Sequence, residues 1–347
     1  MAINVGILGF AHGHVGVYVD EWLKMPDQQV RVIAGWDHDR KRLSDASEKF
    51  HFSSDADPQV LLNQPGLDAV VIGAETSMHA DLVEAAAAAG KAIILQKPLA
   101  LTLEQGRRIL EAVRRHNVPF TLAWQMRVDP QNIEMKRLVR DGTIGRVYMV
   151  RRRHGLSTHV WAGFENTWHV RPELNRGMWA DDASHAIDFL LWLLGEPLNI
   201  TAQIDTLRSE KVPDDHGIAI FRYADGAFGE VVGSFVCLAG ENTTEIVGED
   251  GVIIQNYGDG PSCQVPHPPG GLKLLRKGDK DWTISPISSP ESHGQRIAAL
   301  APELLKFLRG ERRAICTAEE GLASLKMTLA CYRSSELNRT VLLDEMN

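Results

Sequence analysis

Two stretches carry residues whose type and setting suit chemistry. The first, Ala92-Ile93-Ile94-Leu95-Gln96-Lys97-Pro98, is an apolar run that delivers one lysine and is stopped by a proline. Consecutive apolar residues read as a buried strand of a parallel sheet, and a proline without an N–H ends ladder pairing. Lys97 therefore stands at the C-terminal end of a strand, the edge at which open α/β sheets bind ligands. A strand-end lysine facing water fits the same pattern equally well. The second stretch runs from Gly177 to Gly195. Asp181, His185 and Asp188 share one stripe of it, opposite Ala183, Ala186, Ile187, Leu190, Leu191 and Leu194 at helical spacing. At a separation of four residues the Asp181 carboxylate can touch the His185 imidazole, fix its tautomer and raise its proton affinity. That is an acid/base arrangement, whereas the stripe taken alone is that of a solvated face.

A third candidate opens the chain. Ala2 to Gly9 reads as a strand breaking into Phe10-Ala11-His12-Gly13-His14, followed by a helix through Val15, Tyr18, Val19, Trp22 and Leu23. Strand, glycine turn and helix form the setting in which backbone N–H groups and a helix N-terminus bind a pyrophosphate. Counted from Gly9, the G-x-G-x-x-G pattern meets Ala11 and His14 at its second and third glycine positions. His14 is large where close helix packing is expected, unless Gly13 takes over. The next strand, Val30 to Trp36, ends in Asp37, placed to accept both hydroxyls of an adenosine ribose and to repel a 2′-phosphate. This favours NAD over NADP, a preference that Arg40 nearby softens. His12, His14 and His79 suit hydrogen bonding to cofactor or substrate better than a metal, since no further ligand has fitting spacing. Arg151-Arg152-Arg153-His154 reads as a solvated charge run, or as one arginine reaching a substrate carboxylate. Trp161, Trp168, His169 and Arg171 are placed either to wall a nicotinamide and a sugar ring or simply to plug a core.

The elements that position these residues follow a βαβ rhythm: a short helix from Asp57 to Leu62, a buried strand from Leu67 to Gly73, an alanine-rich helix ending at Gly90, a helix capped by Thr102 and running to His116, and a last strand from Pro119 to Trp124. Residues 1–124 thus read as a doubly wound parallel sheet that binds a dinucleotide. Residues 125–347 read as a substrate-binding and oligomerisation domain of the α+β class. It has a helix from Pro130 to Arg140 and alternating strands at Gly145 to Arg153, Ile200 to Leu207, Gly217 to Tyr223, Ala227 to Val236 and Thr243 to Val247, forming a mainly antiparallel, open-faced sheet. The segment Gly258 to Gly271, rich in proline and glycine, belongs to no core.

A chain of 347 residues suits two domains, and 44% hydrophobic with 24% charged residues is the balance of a globular protein. The net charge of −8 argues against a nucleic-acid partner. No apolar run approaches the roughly 20 residues needed to cross a bilayer, and no basic-then-apolar segment opens the chain. The expectation is a cytoplasmic protein with no membrane partner. Cys237, Cys263, Cys316 and Cys331 are scattered without paired spacing and read as free thiols.

The chain resembles the glucose–fructose oxidoreductase, inositol dehydrogenase and MocA (Gfo/Idh/MocA) family. Val5-Gly6-Ile7-Leu8-Gly9, Gln96-Lys97-Pro98-Leu99-Ala100-Leu101-Thr102 and Gly177 to Asp188 are similar to its three signatures. Thr76 and His79, Arg127 and Pro130, and Thr143 to Val147 agree as lesser marks. The resemblance implies a Rossmann-type first domain and oxidation of a secondary alcohol on a sugar, polyol or inositol with NAD, or with NADP. By position Lys97, Asp181 and His185 would be the catalytic set. The cofactor would meet Gly9, Phe10, Ala11, His12, Gly13, His14, Asp37, Thr76, His79, Gln96, Lys97 and Trp168, with no metal. A homodimer or homotetramer is implied, the open sheet face pairing with another subunit. Gln96 in place of the family's glutamate removes a carboxylate that would set the charge of Lys97, and Glu75 stands where proline is usual. A redox-assisted lyase or glycosidase and a non-enzymatic dinucleotide-binding regulator remain alternatives on the same fold, although a regulator has no need of an acid/base set.

Overall fold

The structure, a computed structural model, describes residues 2–25, 29–238, 241–258 and 271–346. The chain forms two compact units, Met1–Gln125 with Ile297–Leu322, and Met126–Arg296 with Ala323–Asn347.

The first unit runs β1 (Ile3–Leu8), α1 (His14–Lys24), β2 (Val30–Trp36), α2 (Arg40–Phe50), β3 (Ser53–Ser54), α3 (Pro58–Leu62), β4 (Ala69–Ile72), α4 (His79–Ala88), β5 (Ala92–Leu95), α5 (Leu103–His116) and β6 (Phe120–Leu122). The strands are all parallel in the order β3-β2-β1-β4-β5-β6. Chain order reverses beside β1, so the exit loops of β1 and β4 part there and leave a strand-end crevice. Ala69 to Ile72 and Ile93 to Leu95 are buried throughout, as expected of central parallel strands covered on both faces. Helix starts carry side-chain caps: Asp39 accepts from the Lys41 and Arg42 N–H groups, Asp57 from Gln59, and Thr102 from Gln105.

The predicted boundary at 124/125 lies within one residue of the first crossing, but residues 297–322 return to the first unit, a correction to the single-cut division. Trp22 Nε1 donates to the Ala301 carbonyl (2.9 Å), the Leu122 N–H to the Cys316 carbonyl (2.9 Å) and the Ile315 N–H to Thr121 Oγ1 (2.9 Å). The returning segment thus satisfies the outer edge of β6 and a buried indole, polar groups that would otherwise stay unpaired.

The second unit holds α6 (Pro130–Arg140), β7 (Val147–Gly155), α7 (Pro172–Asn175), α8 (Ser184–Leu194), β8 (Asn199–Asp205), β9 (His216–Arg222), β10 (Phe228–Ser234), β11 (Glu241–Gly248), β12 (Gly251–Gly258), β13 (Leu272–Arg276) and β14 (Thr283–Ile284). After these come α9 (His293–Ala298), α10 (Leu300–Leu308), α11 (Ala318–Leu337) and β15 (Val341–Leu342), of which α10 lies in the first unit while α9 and α11 each have residues in both. Its sheet has the order β14-β13-β12-β11-β7-β10-β9-β8-β15; β7 and β10 are parallel and every other neighbouring pair is antiparallel. Along β7, Val150, Arg152 and His154 are buried while Arg151 and Arg153 lie on the other face, so the charge run is split by the period of two. The strands β12 to β15 lie beyond those the sequence predicts. The proline- and glycine-rich stretch expected to belong to no core lies, over 259–270, outside the described residues, as does Cys263; among the described residues Cys237, Cys316 and Cys331 form no disulfide.

Candidate active site

In the first unit, the turn after β1 is closed tightly against the exit of β4. Gly9 adopts φ +92°, and a Cβ there would lie 2.4 Å from the Ala74 backbone, so only glycine fits. The His12 N–H donates to the Gly73 carbonyl (2.9 Å), closing the turn toward β4. Close packing of α1 falls elsewhere than expected. A Cβ on Gly73 would lie 2.2 Å from Val15 Cγ2, whereas one on Gly13 would meet nothing within 4 Å. Gly13 therefore does not take over the packing position, and His14, as the first residue of α1, needs no close approach to the sheet. His12 is buried with its ring 4.2 Å from that of His14. Among the described residues no cluster of three or more His, Cys, Asp or Glu side chains is placed to hold a metal ion.

Asp37 follows β2 as the sequence indicates, and its carboxylate is wholly enclosed. It accepts from the Phe10 N–H (2.7 Å), the Asp39 N–H (2.8 Å) and Arg42, whose Nε and Nη2 donate at 2.8 and 2.7 Å. The basic partner is therefore Arg42 and not the exposed Arg40. Arg42 Nη2 also donates to Glu75 Oε1 (3.0 Å), and His38 Nε2 lies 2.9 Å from Glu75 Oε2. Burial opposes the guanidinium charge, but Asp37 and Glu75 together outweigh it and hold the Arg42 pKa above its ordinary value. A groove of ≈ 680 Å³ beside this cluster is lined by Trp36, Asp37, His38, Arg40, Leu43 and Ser44. That volume is in the range of small-ligand sites.

Lys97 is 3% exposed, which removes the reading of a lysine facing water. Its setting is built by Gln96, whose Oε1 accepts from the Lys97 N–H (3.0 Å) and whose Nε2 donates to Tyr18 Oη (2.7 Å). Gln96 thus holds the backbone of the lysine against α1, a job its neutral amide does with one acceptor and one donor. Burial pushes the Tyr18 phenol well up, so it stays protonated. The Lys97–Pro98 peptide is cis. His79, expected at the cofactor, is 1% exposed, with Nδ1 3.0 Å from the Pro98 carbonyl oxygen and Nε2 3.2 Å from that of Ala74. It is a strut between the exit loops of β4 and β5. Burial pushes its pKa down to about 4. Thr76, fully buried, opens the short 3₁₀ turn that leads into α4.

In the second unit, Asp181, His185 and Asp188 are 2, 3 and 1% exposed, so their stripe is not a solvated face. Asp188 accepts a bidentate pair from Arg127, at 2.9 Å from Nε and 2.8 Å from Nη2. The helical spacing of Asp181 and His185 is altered by a π-helical turn, Trp179–Ala183, directly before α8. Wider than an α turn, it shifts the angular position of its residues, as such bulges do at functional sites. Asp181 Oδ2 lies 2.8 Å from His169 Nδ1, and Asp182 Oδ1 lies 3.8 Å from His185 Nε2 and 4.0 Å from His154 Nε2. Two carboxylates thus face three histidines. Sequence spacing singled out Asp181 and His185 but missed the part of Asp182 and the pairing of His169; the adjacent Asp181-Asp182 doublet was the one available signal. Trp168 stacks on His169 with ring centroids 4.0 Å apart, both half-buried, and Phe164 stacks on His169 in turn. Arg152 is buried over the Phe189 ring (4.1 Å), where it donates to Thr244 Oγ1 (2.8 Å) and Asn132 Oδ1 (3.2 Å); burial pushes its pKa down to about 10.

Residues 3–123 match the oxidoreductase family with an NAD-binding Rossmann fold, and residues 133–254 match the GFO/IDH/MocA C-terminal domain. The chain belongs to the Gfo/Idh/MocA family. It is an NAD-binding oxidoreductase. Curated members of the family similar to it include myo-inositol 2-dehydrogenase of Thermotoga maritima, 27% identical with 99% of both chains covered, and inositol 2-dehydrogenase 2 of Saccharopolyspora erythraea, 28% identical with 96% of this chain and 93% of that one covered. Levoglucosan dehydrogenase of Pseudarthrobacter phenanthrenivorans is 29% identical over 62% of each chain. Among solved structures, a levoglucosan dehydrogenase in complex with NADH and levoglucosan superposes with TM-score 0.83 at 21% identity, covering 99% of this chain and 100% of that one, which establishes the shared fold. No described helix is long and apolar enough to cross a membrane.

Proposed function

We propose that the protein oxidises a secondary alcohol of a sugar, polyol or inositol, with Lys97, Asp181 and His185 as its catalytic set. The observation that carries this reading is burial: an acid/base stripe and a strand-end lysine that a merely soluble surface would expose are 1–3% accessible. The residues fit a dinucleotide, since Gly9 admits no side chain, the Phe10 N–H is tied to Asp37, and α1 begins at His14. NAD bound there supplies the hydride acceptor. His185 removes the hydroxyl proton as hydride leaves the same carbon. Lys97 hydrogen-bonds the reacting oxygen and favours the developing alkoxide. Asp181 supplies the carboxylate, held by His169. The inositol and levoglucosan dehydrogenases among the relatives favour a cyclic polyol or sugar substrate.

The test is a dehydrogenase screen over sugars, inositols and sugar acids with each cofactor, followed by Lys97→Met and His185→Ala. Loss of a positioned acid/base group lowers turnover by about a hundredfold to ten-thousandfold. Groups acting as a unit are non-additive, so the double variant should be little worse than the worse single one. Near-parental turnover in His185→Ala would refute the assignment. Turnover without net NADH release would replace the dehydrogenase by a redox-assisted lyase or glycosidase. We further propose a homodimer or homotetramer through the open face of the second unit's sheet, where Ile218, Ile220 and Phe228 are 43, 46 and 46% exposed.

A further inference from the structure

We infer that Glu75 sets the cofactor preference by holding Arg42 away from a 2′-phosphate. This rests on the expected placement of an adenosine ribose in the groove beside Asp37. Among the described residues Arg42 is the cation whose guanidinium sits directly on Asp37, and an arginine there is the group that accommodates a 2′-phosphate in NADP-binding proteins of this fold class. Here it is taken up twice. Nε and Nη2 make the bidentate pair with Asp37, and the same Nη2 turns its remaining donor to Glu75 Oε1 at 3.0 Å. The Glu75 side chain is 5% exposed and belongs to the exit loop of β4, so it approaches Arg42 from across the crevice and not from its own helix. Its other oxygen faces His38 Nε2 at 2.9 Å, which ties up the second basic group at the same place. The cluster sets two carboxylates, Asp37 and Glu75, against the single guanidinium of Arg42, so acidic charge surrounds that cation. A phosphate arriving there would meet that charge and an arginine whose donors are already directed at carboxylates. Arg42 itself is 26% exposed, so it is reachable once Glu75 releases it. Glu75 is thus a positioning residue acting through Arg42.

The experiment uses the full chain and two fragments that report the ribose site without the nicotinamide, 5′-AMP and 2′,5′-ADP, titrated by the fluorescence of Trp36, which lines the groove. In Glu75→Gln the ratio of the dissociation constants, 2′,5′-ADP over 5′-AMP, should fall by about tenfold or more, the gain expected from one charge-assisted phosphate contact. Adding Arg42→Ala should cancel that fall. Should Glu75→Gln fail to fold, Glu75→Ala is read in the same way. A lost structural contact would weaken both fragments alike and leave the ratio unmoved. An unchanged ratio with 5′-AMP still bound overturns the inference alone, as does a fall that survives Arg42→Ala. If the unmutated protein binds neither fragment, the placement of the ribose at Asp37 fails and the inference with it.

Discussion

His79 makes the stability of the first unit depend on pH in a way that can be worked out from its surroundings. A neutral imidazole has one N–H, which either ring nitrogen can carry, with the Pro98 carbonyl 3.0 Å from Nδ1 and the Ala74 carbonyl 3.2 Å from Nε2. Burial holds the folded-state pKa at about 4 against an ordinary 6.5. Above pH 6.5 the ring is neutral in both folded and unfolded chains, and its contribution is fully present. Below 6.5 the unfolded chain takes up a proton that the folded chain refuses, so stability falls with pH until the folded ring titrates near 4. Each pH unit inside that window costs about 1.4 kcal/mol. Between about pH 7 and about pH 5 the loss from this one ring is therefore ~2 kcal/mol. Urea unfolding of the parent and of His79→Asn, which keeps a short neutral donor, isolates it: the parent should lose ~2 kcal/mol more than the variant over that interval. Equal losses in the two proteins would show that the ring is not held neutral between the loops, and the strut reading would be wrong.

The pairing of His169 with Asp181 predicts that His169→Ala lowers turnover by about tenfold or more and moves the pH–rate profile, with His169→Asn, which retains a donor, recovering part of the loss; parental turnover and an unmoved profile would make the pair a structural contact only. On the open sheet face, Ile218→Lys with Ile220→Lys should convert the proposed oligomer to monomer by light scattering without unfolding the unit, because both side chains are exposed within a single chain. A parent that is already monomeric at micromolar concentration would refute the proposed interface.

Much of this architecture was legible because it follows from periodicity and punctuation. The run Ile93 to Leu95 ended by Pro98, the glycine turn at Gly9 and the cap at Thr102 are local signals whose physical cause lies within a few residues, and each stands where it was expected. The helix predicted over Pro130 to Arg140 has those bounds, with Asp129 accepting from Gln131 and Asn132 at its start. What escaped was set by partners distant in sequence. Nothing local marks residues 297–322 for return to the first unit, since their reasons are the Trp22 indole and the outer edge of β6. Likewise the sequence points to Arg40 as the base beside Asp37, and only once α2 is built does the third position of that helix, Arg42, face the carboxylate while the first faces water.

The candidate site shows why helical spacing reaches only so far. The stripe of Asp181, His185 and Asp188 assumes an α period throughout, and within α8 that assumption holds: His185 and Asp188 are both buried there, Asp188 against Arg127. Ahead of α8 the π turn changes the period, so the residue three before His185 becomes the carboxylate measured at 3.8 Å and the residue before that is free to reach back to His169. Two further bonds pin this turn. The Ala180 N–H donates to Tyr332 Oη (3.1 Å), and that hydroxyl donates to Asp214 Oδ2 (2.7 Å). A Cβ on Gly177 would lie 2.1 Å from the same Asp214 oxygen, so the glycine leaves room for that carboxylate just ahead of the turn. The family signature in this stretch thus encodes more than an acid and a base. Its glycine admits the carboxylate that fixes the turn, the turn sets adjacent aspartates toward different histidines, and the apolar face of α8 holds the whole against the sheet.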